Sequence, residues 1–254
     1  MDAFQELAHQ LADAAGAEIL KYWRHPIAVD DKADESPVTI ADREAERVMR
    51  TLITKRFPEH GILGEEFGNE RLDARYVWVL DPVDGTRAFI TGKPSFGTLI
   101  GLWEGDRPVL GVIDQPVTRE RWLGVSGQDT RLNGTRVQVR PCDDVKKAAL
   151  YATGPEMFSG DEVQMFERLR KSVKLPRYGA DCYAYALLAT GFVDLVCEAN
   201  LKPYDYAAVV PVIEAAGGIV TDWEGAPLTL TSSGRVLAAG DKRAHAQALE
   251  ILNS

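Results

Sequence analysis

The fold of this chain is decided by the stretch Tyr76-Val77-Trp78-Val79-Leu80-Asp81-Pro82-Val83-Asp84-Gly85-Thr86-Arg87. Its first five residues are apolar, β-branched or aromatic and have no helical period, which predicts a buried strand that ends in a turn. Asp81 would then lie at the carboxyl end of the strand, where α/β sheets collect ligands. Pro82 stiffens the turn and Gly85 frees it. We therefore expect Asp81 and Asp84 to point at one place.

Two carboxylates that converge repel each other unless a cation lies between them. Hard oxygen ligands on a tight turn suit Mg²⁺, which takes one or two carboxylates together with substrate phosphate. The Gly85 and Thr86 amides precede a predicted short helix over residues 87–90, and a helix N-terminus attracts anions. The same residues are also compatible with an Asx-type turn that only caps a helix. The stretch predicts either a metal and phosphate site or such a cap.

The composition is that of a globular protein: 254 residues, 45% hydrophobic and 26% charged. The net charge of −9 argues against nucleic acid as the main partner. Three scattered cysteines, Cys142, Cys182 and Cys197, are too few for a disulfide framework or a zinc site and favour a reducing compartment. The N-terminus lacks the features of a signal peptide, and no apolar run reaches about 18 residues. We expect a cytoplasmic protein without a membrane segment.

The two halves of the chain differ in pattern on either side of residues 140–144. The first half is β-rich and predicts an antiparallel sheet, preceded by a helix over residues 3–23 and a polar loop over 30–37. The second half alternates strands with helices, the last two helices over 205–216 and 242–252, which implies sheet layers covered by helices. We expect a single catalytic unit, residues 1–254, with subdomains 1–141 and 142–254.

Three further acidic positions are candidates for the same site, and each has a structural alternative. Asp42 follows Thr39 in a near-variant of the capping box. It therefore either caps a helix or faces the metal turn, residues 81–86, and orients a water molecule. The pair Glu65-Glu66 ends a short predicted strand, and charged pairs are usually solvated loop edges. Asp205 begins a predicted helix, where an acid favours the helix dipole.

Taken together, these stretches resemble the inositol-monophosphatase superfamily of Mg²⁺-dependent, lithium-sensitive phosphatases. The resemblance covers nearly the whole chain. It rests on Gly64-Glu65-Glu66, on Asp81-Pro82-Val83-Asp84-Gly85-Thr86, and on Tyr204-Asp205-Tyr206-Ala207-Ala208 with Gly217-Gly218. Tyr204 replaces the Trp common in the family. The resemblance implies an α/β fold, specifically a layered α/β/α/β/α sandwich that is usually dimeric.

The resemblance also implies roles for individual residues. Two or three Mg²⁺ ions would be held by Glu65, Asp81, the Val83 carbonyl, Asp84 and Asp205. Substrate would contact the phosphate-binding Gly85 and Thr86, the alcohol-binding Glu198, the further candidates Asp181 and Arg177, and the metal ligands Glu65, Val83, Asp84 and Asp205. The catalytic water would be oriented by Thr86, Glu65 and Asp42.

Within the superfamily the chain looks most like the histidinol-phosphate phosphatase branch. That likeness rests on Thr86-Arg87, on residues 178–185 and on residues 201–205, and it implies hydrolysis of L-histidinol phosphate, a step of histidine biosynthesis. The alternatives are an inositol-1-monophosphatase or a broad small-molecule phosphatase. A ligand-binding relative without turnover is a third reading, but the intact set of acids argues against it because a binder has no need of an activated water.

Overall fold

This computed structural model describes residues 1–31 and 37–254 of the chain. The loop predicted over residues 30–37 falls mainly on residues 32–36, outside the described part. The helices are α1 (Asp2–Leu20), α2 (Ile40–Arg56), α3 (Thr86–Ile90), α4 (Glu162–Ser172), α5 (Tyr183–Ala189), α6 (Pro203–Tyr206), α7 (Val209–Ala215) and α8 (Lys242–Leu252). The strands are β1 (Val29–Asp31), β2 (Pro37–Thr39), β3 (Gly61–Gly64), β4 (Gly68–Glu70), β5 (Tyr76–Asp84), β6 (Gly97–Glu104), β7 (Arg107–Gln115), β8 (Glu120–Val125), β9 (Arg131–Leu132), β10 (Thr135–Arg136), β11 (Ala149–Ala152), β12 (Leu175–Tyr178), β13 (Leu195–Glu198), β14 (Ile219–Thr221) and β15 (Val236–Ala239).

Two large sheets organise these elements. The first has eight strands in the order β10-β9-β8-β7-β6-β5-β3-β4 and is antiparallel, as predicted, except that β3 and β5 pair in parallel. The second has five strands in the order β12-β11-β13-β15-β14, with parallel pairing on both sides of β11 and antiparallel pairing around β15. The strands β1 and β2 form a separate antiparallel pair. The proposed subdomain boundary near residue 141 stays a prediction.

Three helical layers cover the faces of the two sheets. The outer face of the eight-stranded sheet is covered by α1 and α2, whose buried side chains share one core with Trp78 and Leu102. Between the sheets, α5 and α7 pack in a core that contains Trp122 from one sheet and Val236 from the other. The helices α4 and α8 cover the far face of the five-stranded sheet. The layered α/β/α/β/α sandwich is therefore confirmed.

The helix predicted over residues 205–216 is wrong as a continuous element, because the structure divides it into α6 and α7. Pro211 explains the break: it has no N–H to donate to the carbonyl of Ala207, four residues earlier, and its ring crowds that carbonyl. The freed Ala207 oxygen accepts a hydrogen bond from the Trp103 indole at 3.4 Å. The break thus ties the α6–α7 segment to the eight-stranded sheet.

A row of glycines lets this segment lie directly on the sheet. Gly101, Gly111 and Gly124 are register partners on β6, β7 and β8. A Cβ on Gly101 would lie 3.0 Å from the Ala207 carbonyl carbon, and one on Gly111 would overlap the carbonyl oxygen of the next residue. Glycine inside a strand marks such a close backbone approach. The close packing brings the start of α6 beside β5, the strand of the predicted metal turn.

A buried histidine makes the stability of this fold depend on pH. His60 is 4% exposed, stacks on Phe57 and accepts a hydrogen bond from the Trp78 indole at 3.1 Å. Burial lowers the pKa of His60, an effect that Glu59 partly opposes. Because its folded pKa lies below its unfolded pKa, His60 contributes stability that is complete above about pH 6.5 and is lost as the pH falls below that value.

We therefore expect a lower free energy of unfolding at about pH 5.5 than at about pH 7.5, and a smaller difference for His60→Gln, which still offers an acceptor to Trp78. Urea unfolding at the two pH values measures this. His245, which is also buried with a lowered pKa, leaves part of the pH dependence in the variant. An unchanged dependence in His60→Gln would contradict the assignment.

In the described part of the chain, no helix combines the length and the apolar character needed to cross a lipid bilayer.

Candidate active site

Asp81 and Asp84 are brought together by an irregularity in β5. The strand does not end at Asp81, as the sequence predicts, but runs to Asp84, and its register with β6 shifts between them. Residues three apart point to opposite faces of a regular strand. The bulge at Pro82-Val83 reverses that alternation once, so both carboxylates reach the same side.

Asp205 completes a cluster of three carboxylates. One oxygen atom from each of Asp81, Asp84 and Asp205 lies within 4.8 Å of the others. Backbone amides hold two of the side chains: Cys182 N donates to Asp84 Oδ2 and Lys202 N donates to Asp205 Oδ2, each at 2.6 Å. The bond from Lys202 is also the helix cap predicted as the alternative for Asp205. Asp205 therefore caps α6 and faces the other two acids at once.

The electrostatics of this cluster favour a bound cation. Burial, followed by the neighbouring acids, raises the pKa of Asp81 and of Asp84 well above their ordinary value, and burial raises that of Asp205 to about 7. Asp81 is 2% exposed, and its Oδ1 has no hydrogen-bond partner among the residues that the structure describes. Buried acceptors without a partner are rare and call for an unseen donor or ion. Three oxygen donors around an unsatisfied atom fit Mg²⁺.

Glu65 belongs to the same cluster. Its charge raises the pKa of Asp81, of Asp205 and of Asp42, and its side chain interacts directly with Asp81. The Glu65 amide donates to the carbonyl of Leu80 at 3.2 Å, so the turn after β3 is attached to the residue before Asp81. This half-buried position is not a solvated loop edge.

Asp42 caps α2 and also contacts Thr86 on the turn after β5, while its role in orienting a water molecule stays a prediction. Its Oδ2 accepts hydrogen bonds from Thr39 N at 2.9 Å and Thr39 Oγ1 at 2.5 Å, which completes the capping box of α2. Its Oδ1 lies 3.2 Å from the hydroxyl of Thr86, which is also 3.1 Å from the Val83 carbonyl. The Val83 side chain is buried in the outer core, so only its carbonyl faces Thr86. Capping thus fixes the carboxylate that contacts the metal turn.

A cavity of about 300 Å³ opens beside the cluster. It is lined by Glu65, Asp84, Gly85, Thr86, Arg87, Thr153, Met157, Asp181, Cys182, Tyr185, Glu198, Leu201 and Asp205. Gly85 has a left-handed backbone with φ of 83°, and a Cβ there would lie 2.7 Å from Asp181 Cγ. The absence of a side chain at Gly85 therefore lets Asp181 approach the turn.

The predicted substrate residues divide into two groups. Glu198 is 3% exposed and accepts hydrogen bonds from Thr153 N, Thr153 Oγ1 and Tyr185 OH at 2.6–2.8 Å. Asp181 accepts a hydrogen bond from Ser95 at 2.6 Å. Burial raises the pKa of both acids. Arg177, in contrast, is exposed on the edge strand β12 and does not line the cavity, so the structure leaves this candidate outside the site.

Several residues that support the site carry no motif that sequence reasoning could use. Thr153, Tyr185 and Ser95 meet their acidic partners only through long-range packing. Glu46 had a usable signal: it lies four residues after Asp42, on the buried stripe of α2 with Ala45 and Met49. A charged residue in an otherwise apolar stripe indicates a specific partner.

The layered fold places convergent carboxylates at the bulge of a central strand, beside a cavity, an arrangement that fits a divalent cation and an anionic substrate. The family comparison agrees, because the model of the inositol monophosphatase family matches residues 1–254. The chain belongs to this family. Proteins of the family act on phosphate monoesters and depend on a metal ion, and the acidic cluster of this chain is compatible with that dependence.

Individual relatives carry different substrate names. The chain is 51% identical over 261 residues to the bifunctional phosphatase IMPL2, chloroplastic, of Arabidopsis thaliana, covering 99% of this chain and 75% of the relative. It is 35% identical to a histidinol-phosphatase of Chlorobaculum parvum, covering 92% and 91%. A solved inositol monophosphatase from Zymomonas mobilis is 48% identical with a TM-score of 0.91, covering 98% of this chain and 97% of that chain. Similarity therefore fixes the family and leaves the substrate open.

Proposed function

We propose that this protein is a Mg²⁺-dependent phosphomonoesterase that hydrolyses L-histidinol phosphate to L-histidinol and phosphate. The observation that carries the proposal is a single cavity lined both by Asp84 and Asp205 of the three-carboxylate cluster and by two further acids, the half-buried Asp181 and the buried Glu198. The cluster suits the phosphate end of a substrate through bound cations, and the two acids suit a positively charged organic end. The named histidinol-phosphatase among the relatives supports the same choice.

The metal site would be built from Glu65, Asp81, the Val83 carbonyl, Asp84 and Asp205, holding two or three ions. When bound, Mg²⁺ supplies positive charge for the phosphoryl oxygens and lowers the pKa of a water molecule. The protein residues position the reactants around that charge. The Gly85 and Thr86 amides would bind the phosphate oxygens and stabilise the charge that develops on them.

The attacking water would be oriented by Thr86, Glu65 and Asp42. Two hydrogen bonds from Thr39 to Oδ2 fix the Asp42 carboxylate, and its other oxygen, Oδ1, accepts a hydrogen bond from the Thr86 hydroxyl. Because both neighbours of that hydroxyl, Asp42 and the Val83 carbonyl, are acceptors, its proton is directed at them and its lone pairs are left for a water molecule. This arrangement holds a nucleophile beside the phosphate without a covalent phosphoenzyme.

The choice of organic substrate rests on charge. L-histidinol phosphate carries an amine and an imidazole, both of which can be cationic. Burial and the charge of Asp181 raise the pKa of Glu198, so a cation placed between these acids relieves an unfavourable charge. A neutral polyol can only form hydrogen bonds with them. Charge complementarity in a desolvated cavity favours the cationic substrate.

A panel of phosphate esters assayed with Mg²⁺ tests the proposal. We expect kcat/KM to be higher for L-histidinol phosphate than for inositol 1-phosphate. The opposite order would support the alternative of an inositol-1-monophosphatase, a reading favoured by the Zymomonas mobilis structure. Comparable values for all esters would indicate a broad phosphatase. Absence of turnover on every ester would support the third alternative, a ligand-binding relative without enzymatic activity.

Glu198→Gln tests the role of the buried acid directly. We expect a loss of kcat/KM of about 10-fold to 100-fold for L-histidinol phosphate and a much smaller loss for p-nitrophenyl phosphate, because only the first substrate has a cation for the acid to bind. Glu120→Gln is a matched control. Glu120 also accepts a hydrogen bond from a tyrosine hydroxyl, that of Tyr183 at 2.6 Å, but it does not line the cavity. Equal losses on both substrates would mean that Glu198 serves the metals or the fold.

Lithium sensitivity follows from the same cluster. We expect millimolar Li⁺ to inhibit turnover at limiting Mg²⁺, because a small monovalent cation can compete for oxygens shared by Asp81, Asp84 and Asp205. The family resemblance motivates this expectation. Initial rates measured with added LiCl, and with KCl as the control for ionic strength, check it. Equal rates in the two salts would count against a family-like site.

Two further properties stay predictions. The resemblance implies a homodimer, which sedimentation or light scattering can measure. The three cysteines are free and buried, which supports a reducing compartment such as the cytoplasm.

A further inference from the structure

Two side chains of α2, Glu46 and Arg50, form an ion pair that bonds to the backbone of the turn that carries Glu65. Glu46 is fully buried, and its oxygens accept hydrogen bonds from Glu66 N at 2.7 Å and Phe67 N at 3.1 Å. Arg50, one helical turn later, donates to Glu46 at 2.7 Å, to the Gly68 carbonyl and to Glu70. We propose that the Glu46–Arg50 pair positions Glu65 for metal binding and catalysis; this inference rests on the proposed function of Glu65.

The hydrogen bonds immobilise both peptide groups that flank Glu65. The peptide before it donates through Glu65 N to the carbonyl of Leu80, the residue that precedes Asp81. The peptide after it donates through Glu66 N to Glu46. With both peptide planes fixed, the direction in which the Glu65 side chain leaves the backbone is set relative to Asp81. Small displacements of this kind strongly affect sites whose geometry must be exact to a fraction of an ångström.

The sequence around the turn is shaped to admit Glu46. A Cβ on Gly64 would overlap Glu46 Oε1 and would lie 2.6 Å from the Arg50 guanidinium. Gly64 thus lets the carboxylate reach the backbone of the turn.

The position of Glu46 on α2 links it to the other half of the site. Asp42, four residues earlier and on the same buried stripe, contacts Thr86. One helix therefore sets both the residue that orients the water and the turn that carries Glu65. A buried ion pair is weak support for stability alone, because the desolvation of two charges offsets their attraction. Positioning gives a physical reason for placing this pair beneath the site.

The test compares four variants of the full chain. Glu46→Gln weakens the hydrogen bonds to the turn, because its amide nitrogen cannot accept a bond from one of the two backbone N–H groups. Glu46→Gln with Arg50→Met removes both charges, so no buried charge is left without a partner and a folded protein is available for measurement. Glu44→Gln is the matched control, an exposed acid on the same helix paired with Arg47. Glu65→Gln is the reference for the proposed function.

Three readouts separate positioning from folding: thermal melting, the Mg²⁺ dependence of kcat, and binding of Mn²⁺ alone to substrate-free protein by electron paramagnetic resonance. We expect both Glu46 variants to lower kcat and Mn²⁺ affinity by about 10-fold to 100-fold, as for residues that orient metal ligands, with Glu44→Gln like wild type. The folded double variant with wild-type kcat and Mn²⁺ affinity would overturn the inference. Wild-type behaviour of Glu65→Gln would instead refute the proposed role of Glu65.

Discussion

Asp81→Asn is expected to abolish turnover while leaving the fold intact. Among the residues that the structure describes, Asp81 provides a buried oxygen that lacks a hydrogen-bond partner, and it lies within 4.8 Å of oxygens of Asp84 and Asp205. Removing its charge would cost several kcal/mol of transition-state stabilisation, or about 10³-fold in kcat. The substitution keeps the shape of the side chain, so core packing is unchanged.

For the same variant, we expect an effect on thermal stability that is opposite to its effect on activity. Burial and three neighbouring acids raise the pKa of Asp81, which means that its charge is unfavourable in the metal-free protein. We therefore expect the melting temperature of Asp81→Asn without Mg²⁺ to equal or exceed that of wild type, a trade of stability against activity that functional sites commonly show. Asp129→Asn, which changes an exposed carboxylate, controls for the loss of one charge.

More than a tenth of wild-type kcat in Asp81→Asn at saturating Mg²⁺ would refute the metal assignment.

Thr86→Val is expected to have the next largest effect. The substitution removes the hydroxyl that lies between Asp42 and the Val83 carbonyl but preserves the volume of the side chain. Loss of a group that orients a nucleophile typically costs about 10²-fold to 10⁴-fold. We expect kcat to fall by at least about 10²-fold, with a much smaller change in KM, because the phosphate contacts attributed to this turn are backbone amides.

Thr91→Val is the matched control for this experiment. Thr91 caps the other end of α3, and its hydroxyl donates to the helix carbonyls of Arg87 and Ala88. Steady-state kinetics on L-histidinol phosphate should give nearly wild-type values for this variant. A similar loss in both threonine variants would show that the effect comes from the stability of α3 and not from the water-orienting hydroxyl.

Local patterns in the sequence predict most of the architecture. Helix periodicity locates α1 and α8, and the Thr39–Asp42 spacing locates the start of α2. The exceptions have physical causes. The strand of the organising stretch continues through a bulge that its composition does not reveal, and Pro211 divides a helix whose apolar run looks continuous.

The candidate site is predictable only where short motifs carry it. Asp81, Asp84 and Asp205 converge as the spacing and the resemblance indicate. The groups that hold the acids of the site cannot be found by the same reasoning, because the Cys182 amide reaches Asp84 and the Tyr185 hydroxyl reaches Glu198 through tertiary packing. Arg177, a substrate candidate taken from the resemblance, does not line the cavity of its own chain, and its role stays a prediction.

The measurement that tests the central claim most directly is phosphate release from L-histidinol phosphate by wild-type protein, before and after removal of divalent cations with EDTA and again after addition of Mg²⁺. The account predicts release with Mg²⁺, loss of release after EDTA, and recovery when Mg²⁺ is restored. Undiminished release from EDTA-treated protein, or no release from L-histidinol phosphate at any Mg²⁺ concentration, would contradict it.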